Sequence, residues 1–448
     1  MGLELSSGRV EITPTLQQNP YLAGYGVADE PRTAASDQPY APVFVRCLVL
    51  WDDDVPNTLI SLDVLGVPRS MHQRLRPRLV DLAGWSSSDI VLQATHTHNG
   101  PVLVESLDPY IAYALIDLTE VESYSRWLED RVVEATETAL QAPRTPITLD
   151  YRVTDVGFAR NRAGLPYTET AVPVLTARDS VGDPRAVVFS YGCHPVSAGW
   201  QDQYDGDFPA GACTVVEQTH PDCFALFLQG PAGDQDPRGL SSWDLRDDLA
   251  DTLAGAVITA MDQPGRPVDG PIVTQYSEVD LPLDVTPTPG NLAQVRAAFI
   301  ARLQDPTGLP AWYLRHAEVM VDRIDTGDLT TSVPVPIQTW VFDSSPPLRL
   351  ALTGGELVSG YAAYLRARHG GPTSLIVGGY ANEVSCYLPS NEFLPPFMPP
   401  GSYEGGWHTD HPGIAGGSQT IYAHVGHFRT GTTGIEASLT TALDAHLG

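Results

Sequence analysis

Ile90-Val-Leu-Gln-Ala-Thr-His-Thr-His-Asn-Gly-Pro101 is the stretch on which the reading of this chain turns. An apolar, β-prone run, Ile90–Ala94, leads straight into His96-Thr97-His98, and Asn99-Gly100-Pro101 stops it. In an extended chain, residues i and i+2 point to the same face. Both imidazoles can therefore converge on one point beyond the C-terminal end of a strand, where α/β sheets place their sites. Two readings stand: a metal-binding pair, or two half-exposed histidines in a turn.

The same grammar recurs downstream. Ala186–Tyr191 reads as a strand and ends in Gly192-Cys193-His194-Pro195. His194 is either a ligand or a structural histidine with satisfied hydrogen bonds. Leu350-Ala-Leu-Thr-Gly-Gly-Glu356 runs from strand through glycines to a carboxylate that opens a predicted helix, Glu356–His369. An acidic residue there is also ordinary complementarity to the helix dipole. Asp207, in Asp205-Gly-Asp-Phe-Pro209, reads as an N-cap ahead of a ligand.

Working outward, short β-branched runs alternate with helical periods. Predicted strands include Val43–Trp51, Thr58–Val64, Phe224–Leu228, Val273–Leu281, Val335–Phe342 and Leu375–Val377. Predicted helices include Arg69–Ala83, Tyr124–Leu140, Trp243–Met261, Leu292–Gln304, Pro310–Asp325 and Gly434–His446. The interleaving implies an α/β or mixed α+β fold, with layered sheets flanked by helices. Pro282–Pro289 reads as a surface loop before a helix, with a domain linker as the alternative.

Composition narrows the function. The 448 residues carry 54 acidic and 26 basic groups, a formal charge of -28. Such a chain repels phosphate backbones and anionic lipid surfaces, so neither nucleic acid nor a membrane is an expected partner. Every one of the basic residues is Arg. That excludes Schiff-base, P-loop and carbamylated lysines, and the last counts against the binuclear amidohydrolase context of HxH. Metallo-β-lactamase folds need HxHxDH, and Asn99-Gly100-Pro101 breaks that pattern. The five cysteines are scattered, without CxxC, which suits a reducing compartment and a cytoplasmic location. No apolar run is long enough to span a bilayer.

Taken together, these segments resemble the N-terminal catalytic domain of the neutral/alkaline (non-lysosomal) ceramidase family, from about Val10 to the final helix. Ala23-Gly-Tyr-Gly26 resembles its GYA, Asn161-Arg162 its NRS, and Ala94-Thr-His-Thr-His-Asn-Gly-Pro101 its GTHTHSGP. Gly192-Cys-His-Pro195 with Gly206-Asp207 is similar to GCHPT followed by SGD. Gly354-Gly-Glu356 stands for PGE. Tyr380-Ala-Asn382, Tyr387 and Tyr403-Glu-Gly405 follow the YAN…Y…YEG series.

The resemblance implies one zinc ion held by His96, His194, Glu356 and Tyr387, activating a water against an amide of a small-molecule substrate. It implies His98, Arg162 and Tyr403 as catalytic or substrate-orienting groups. It further implies a single catalytic domain over residues 1–448, without the C-terminal immunoglobulin-like domain of the long members.

Three departures matter. Gly233-Asp-Gln-Asp-Pro-Arg238 stands where the family has GDVSPN, so Asp236 replaces a serine and a serine nucleophile there is ruled out. The C-terminal domain and a secretion signal are not seen. Trp407-His-Thr-Asp-His-Pro-Gly413 has no counterpart in the pattern; His408, Asp410 and His411 form either an exposed loop or a specificity or second-metal site. The departures argue against ceramide and for a smaller or more polar amide. Ester or lactone hydrolysis, a lyase reaction on the same metal, and a non-catalytic binding role are the alternatives.

Overall fold

A computed structural model describes residues 2–25, 29–284, 289–409, 414 and 416–448. Strands β1 (Leu3–Glu11), β2 (Phe44–Asp52), β3 (Val55–Leu62), β4 (Ile90–Ala94) and β5 (Thr145–Pro146) form a first sheet in the order β4-β3-β2-β1-β5. The next strands are β6 (Thr148–Asp155), β7 (Ala159–Asn161), β8 (Ala171–Arg178), β9 (Pro184–Tyr191), β10 (Phe224–Gln229), β11 (Gln235–Pro237) and β12 (Arg266–Val268). Of these, β10-β9-β8-β6-β12 make a second sheet, and β7 pairs with β11. β13 (Ile272–Pro282), β14 (Ser332–Phe342), β15 (Leu348–Thr353) and β17 (Leu375–Gly378) make a third, and β16 (Glu356–Leu357) pairs with β18 (Tyr387–Leu388).

Each of the three large sheets is antiparallel except for one parallel pair at one edge: β3/β4, β9/β10 and β15/β17. Those edge strands meet at the centre of the molecule. Gln93, on β4, donates through its amide nitrogen to the carbonyls of Gln229 (2.9 Å) and Gly379 (2.6 Å), at the ends of β10 and β17. The Ala94 and Asn382 amides add cross-links to Tyr380 and Leu92. Edges that would otherwise be open are thereby paired internally.

Inner faces of all three sheets share one apolar core, including Leu50, Val91, Leu175, Leu228, Trp340 and Leu352. Full burial of each such aliphatic side chain stabilises by about 1.5–3 kcal/mol. Helices cover the outer faces. α1 (Arg69–Ala83), α2 (Pro109–Tyr113) and α3 (Thr119–Gln141) follow the first sheet, which α1 and α3 cover. α4 (Asp207–Thr219) and α5 (Trp243–Met261) cover the second. α6 (Pro289–Gln304) and α7 (Ala311–Thr326) pack on each other through Val295, Phe299, Ala317 and Met320. α8 (Ser359–Arg368) and α10 (Ile435–Leu447) cover the third sheet, and α9 (Gly417–Ile421) lies near α2.

The mixed α/β class with layered sheets flanked by helices is as expected, and β4, α1 and α5 fall on their predicted bounds. Three of the longer strands escape the sequence reading, β1, β6 and β8, as do several strands of two or three residues. In β1, Leu-Glu-Leu-Ser-Ser-Gly-Arg-Val-Glu looks polar because two of its residues serve packing in disguise. Ser6 accepts a bond from the buried Trp51 indole (2.8 Å). A Cβ on Gly8 would stand 2.8 Å from the Ala139 backbone nitrogen, so only glycine lets α3 approach.

Two local expectations are corrected. Glu356 does not open a helix: it lies in β16, and α8 starts at Ser359. Gly206, not Asp207, holds the cap position of α4. Asp207 instead takes a positive φ of 55° and its carboxylate accepts from Ser197 and from the Ala198 amide (3.0 Å), tying α4 to the loop after His194. The Pro-rich stretch 282–289 does precede α6, but residues 285–288 lie outside the described residues. All five cysteines are buried free thiols. Among the described residues, no helix is long and apolar enough to cross a membrane.

Candidate active site and metal centre

The C-terminal ends of the three parallel pairs point to one place. β4 delivers His96 and His98, β9 delivers His194, β15 leads through Gly354-Gly355 to Glu356, and β17 leads through Tyr380 to Tyr387. The short parallel ladder β16/β18 sets Glu356 directly beside Tyr387. Arg162 follows β7, and Tyr403 comes from the turn between the short paired strands Gly401–Ser402 and Trp407–His408. All seven residues expected from sequence line one cavity of about 640 Å³.

The ring nitrogens of His96, His98 and His194 lie within 4.8 Å of one another. Glu356 Oε2 is 3.3 Å from His96 Nε2 and 3.2 Å from His194 Nε2. His98 Nε2 is 3.3 Å from His96 Nε2, and the Tyr387 hydroxyl is 3.3 Å from His194 Nε2. Four donors placed tetrahedrally at about 2.0–2.1 Å around one ion stand roughly 3.3–3.4 Å apart. The spacings of 3.2–3.3 Å between His96, His194, Glu356 and Tyr387 atoms match that separation.

Tautomers make the same point. His96 Nδ1 faces the Leu65 carbonyl at 2.6 Å, and His194 Nδ1 faces the Ala232 carbonyl at 2.5 Å. A carbonyl only accepts, so both Nδ1 atoms carry a proton and each ring turns its Nε2 toward Glu356. Burial lowers the His96 pKa below the ordinary imidazole value, which keeps it neutral. Burial opposes ionisation of Glu356, but His96 and His194 hold its carboxyl well below the usual carboxylate range. Two imidazole Nε2 atoms and a carboxylate oxygen converging in a buried pocket are an arrangement a cation can satisfy. The residues present therefore fit a zinc ion.

His98 differs from the other two. Its Nδ1 is buried without a hydrogen-bond partner among the described residues, so nothing fixes its tautomer. Burial, with His96 and His194 adding to it, lowers its pKa well below the ordinary value. Gly24 (φ 78°) passes so close that a Cβ there would lie 2.6 Å from the His98 ring. His96 itself has φ 66°, in the left-handed region, with its amide bonded to the Val64 carbonyl (3.0 Å). Strain of this kind, of order 1–3 kcal/mol, collects at functional sites.

On the opposite side, Arg162 donates to Glu404 (2.7 Å), Asp236 (3.2 Å), the Gly233 carbonyl (2.9 Å) and the Tyr387 hydroxyl (3.3 Å). Burial disfavours its charge, but Tyr387, Glu404 and Asp236 raise its pKa well above the usual value. Burial also raises the Tyr387 phenol. Tyr403, 42% exposed, sets its ring edge-on to Tyr387, 5.5 Å between centroids. Asp236 is engaged by Arg162 and by Arg160 (3.6 Å). His408 sits in a short strand opposite Gly401 and is not among the residues lining the cavity; Asp410 and His411 lie outside the described residues.

Sequence reasoning missed Tyr422, whose hydroxyl donates to Glu356 Oε1 at 2.8 Å. A single tyrosine after α9 has no spacing that would reveal this. Outer partners of this kind orient a ligand, and losing one costs roughly 10–100-fold in metal affinity. Tyr422→Phe is expected to weaken divalent-metal binding by about tenfold in a chelator competition, with the far-ultraviolet spectrum unchanged.

No family model matches the chain, and no curated protein matches its sequence. Solved structures do match. The neutral ceramidase of Pseudomonas aeruginosa aligns with a TM-score of 0.66 at 16% identity, over 94% of this chain and 72% of that one. A ceramidase complexed with C2 aligns with a TM-score of 0.66 at 17% identity, over 94% of this chain and 73% of that one. The chain has a ceramidase-like fold in divergent form.

Proposed function

We propose that the protein is a zinc-dependent hydrolase that cleaves an amide C–N bond of a soluble small molecule other than ceramide. The observation that carries this reading is the convergence of the His96 and His194 Nε2 atoms on Glu356 Oε2, at 3.3 and 3.2 Å. The likeness of fold to ceramidases supports it. Bound zinc would supply Lewis acidity and an activated water.

His96, His194, Glu356 and Tyr387 hold the ion in this reading. His98 does not, because it lacks the Nδ1 partner that orients a ligand imidazole. It takes the proton released by the attacking water and hands it to the departing nitrogen. Arg162, braced by two carboxylates, places positive charge where the carbonyl oxygen turns anionic. Tyr403, at the cavity mouth, orients the substrate. Asp236 is held in ion pairs and offers no nucleophile.

The cavity of about 640 Å³ falls in the small-molecule range of roughly 300–1,000 Å³. The buried free thiols support a reducing compartment, the cytoplasm. Metal-stripped and zinc-reconstituted protein should be assayed on soluble amides, esters, lactones and ceramide. Zinc-dependent cleavage is expected on a soluble amide, faster than on ceramide. A chain that holds no zinc and hydrolyses nothing after zinc addition would overturn the reading.

A further inference from the structure

One wall of the cavity is aromatic, and the proposed reaction does not use it. Tyr25 and Trp200 stack, 4.7 Å between centroids at 20°. Tyr25 also meets His98 edge-on, 4.9 Å between centroids. Behind the pair, Arg32 lies 5.0 Å from the Tyr25 ring and 5.4 Å from the Trp200 ring. Its guanidinium donates to the carbonyls of Ala23 (2.7 Å), His98 (2.9 Å) and Gln201 (2.9 Å). One cation thus pins both aromatic segments to the backbone of His98, so the wall is rigid before any ligand arrives.

Two features of this wall are costly unless a ligand uses them. Trp200 is 58% exposed although it is held in one place. The Tyr25 hydroxyl is buried, lines the cavity and has no hydrogen-bond partner among the described residues. Burial, with Asp207 next, pushes its phenol up, so it remains an O–H donor. Exposed, preorganised aromatic surface matches a planar apolar group, and the spare O–H matches an acceptor on it. A cationic ligand is a poorer match, because Arg32 already occupies the cation position beside both rings.

The wall abuts His98, which in the proposed reaction protonates the departing nitrogen. We infer that the substrate is an amide whose amine half carries an aromatic ring, which stacks on Trp200 beside Tyr25. This rests on the hydrolase reading for its orientation, but the stacking surface does not.

The test uses the zinc-loaded full chain and two amides with the same acyl group, N-acetylbenzylamine and N-acetylhexylamine. Wild type is expected to favour the benzyl amide about tenfold in kcat/KM, the scale of one aromatic stacking contact. Trp200→Ala should collapse that ratio towards one, and Trp200→Phe should keep most of it. Calorimetric binding of N-acetylbenzylamine should weaken in parallel. Equal rates on the two amides in wild type, or an unchanged ratio in Trp200→Ala, would overturn the inference. If benzyl binding depends on Trp200 while the zinc-loaded chain cleaves neither these amides nor any substrate of the wider panel, the aryl subsite stands and the hydrolase reading fails.

Discussion

Replacing His194 by alanine is expected to abolish stoichiometric zinc binding and to bring amide hydrolysis to background. His194 Nε2 stands 3.2 Å from Glu356 Oε2 and 3.3 Å from the Tyr387 hydroxyl, so its loss opens the shell between two other donors. The loss in affinity should exceed the roughly 10–100-fold attached to an outer partner. The variant should still fold, because His194 projects from a loop and the core of the second sheet is untouched. Metal analysis after gel filtration, with circular dichroism as the folding control, reads the outcome. One zinc per chain retained in a folded His194→Ala would remove this histidine from the ligand set.

Arg162→Met is expected to lower kcat by about 10²–10³-fold with little change in KM. That is the scale for losing one group aimed at charge that develops in the transition state. Methionine keeps the bulk of the side chain and removes the cation. It also leaves Glu404, which is 5% exposed, without its partner, and an unpaired buried charge costs about 3–5 kcal/mol. Activity and stability therefore fall together in the single variant. Adding Glu404→Gln should restore most of the stability and none of the rate. Arg162→Lys should recover little, because the guanidinium makes four separate contacts that an ammonium on a flexible stem does not reproduce. A double variant that regains wild-type kcat would show Arg162 to be purely structural.

Much of the site was legible because it follows a local rule. A strand ending in glycine or proline, with a histidine or carboxylate beside it, needs only short-range pattern to be seen. His96, His98, His194 and Glu356 all obey it. The alternatives left open for them, turn histidines and a helix-dipole carboxylate, are local readings too, and no local pattern separates them from ligation. What bears on the choice is the pair of Leu65 and Ala232 carbonyls, which turn the Nε2 atoms of His96 and His194 toward Glu356. Tyr422 and the Tyr25–Trp200 wall were invisible because their roles depend on partners more than sixty positions away. The strand β1 was missed because Ser6 and Gly8 serve packing without apolar composition.

The amino-acid order alone indicates most of the long elements and settles the absence of lysine chemistry, because periodicity and composition are properties of the chain itself. It also marks which residues have metal-binding chemistry. Whether those residues meet is decided by three sheets abutting at β4, β10 and β17, a packing event among strands far apart in the chain. Donor separation, tautomer and the pairing of Arg162 are set there, since each depends on distances that only the closed core imposes.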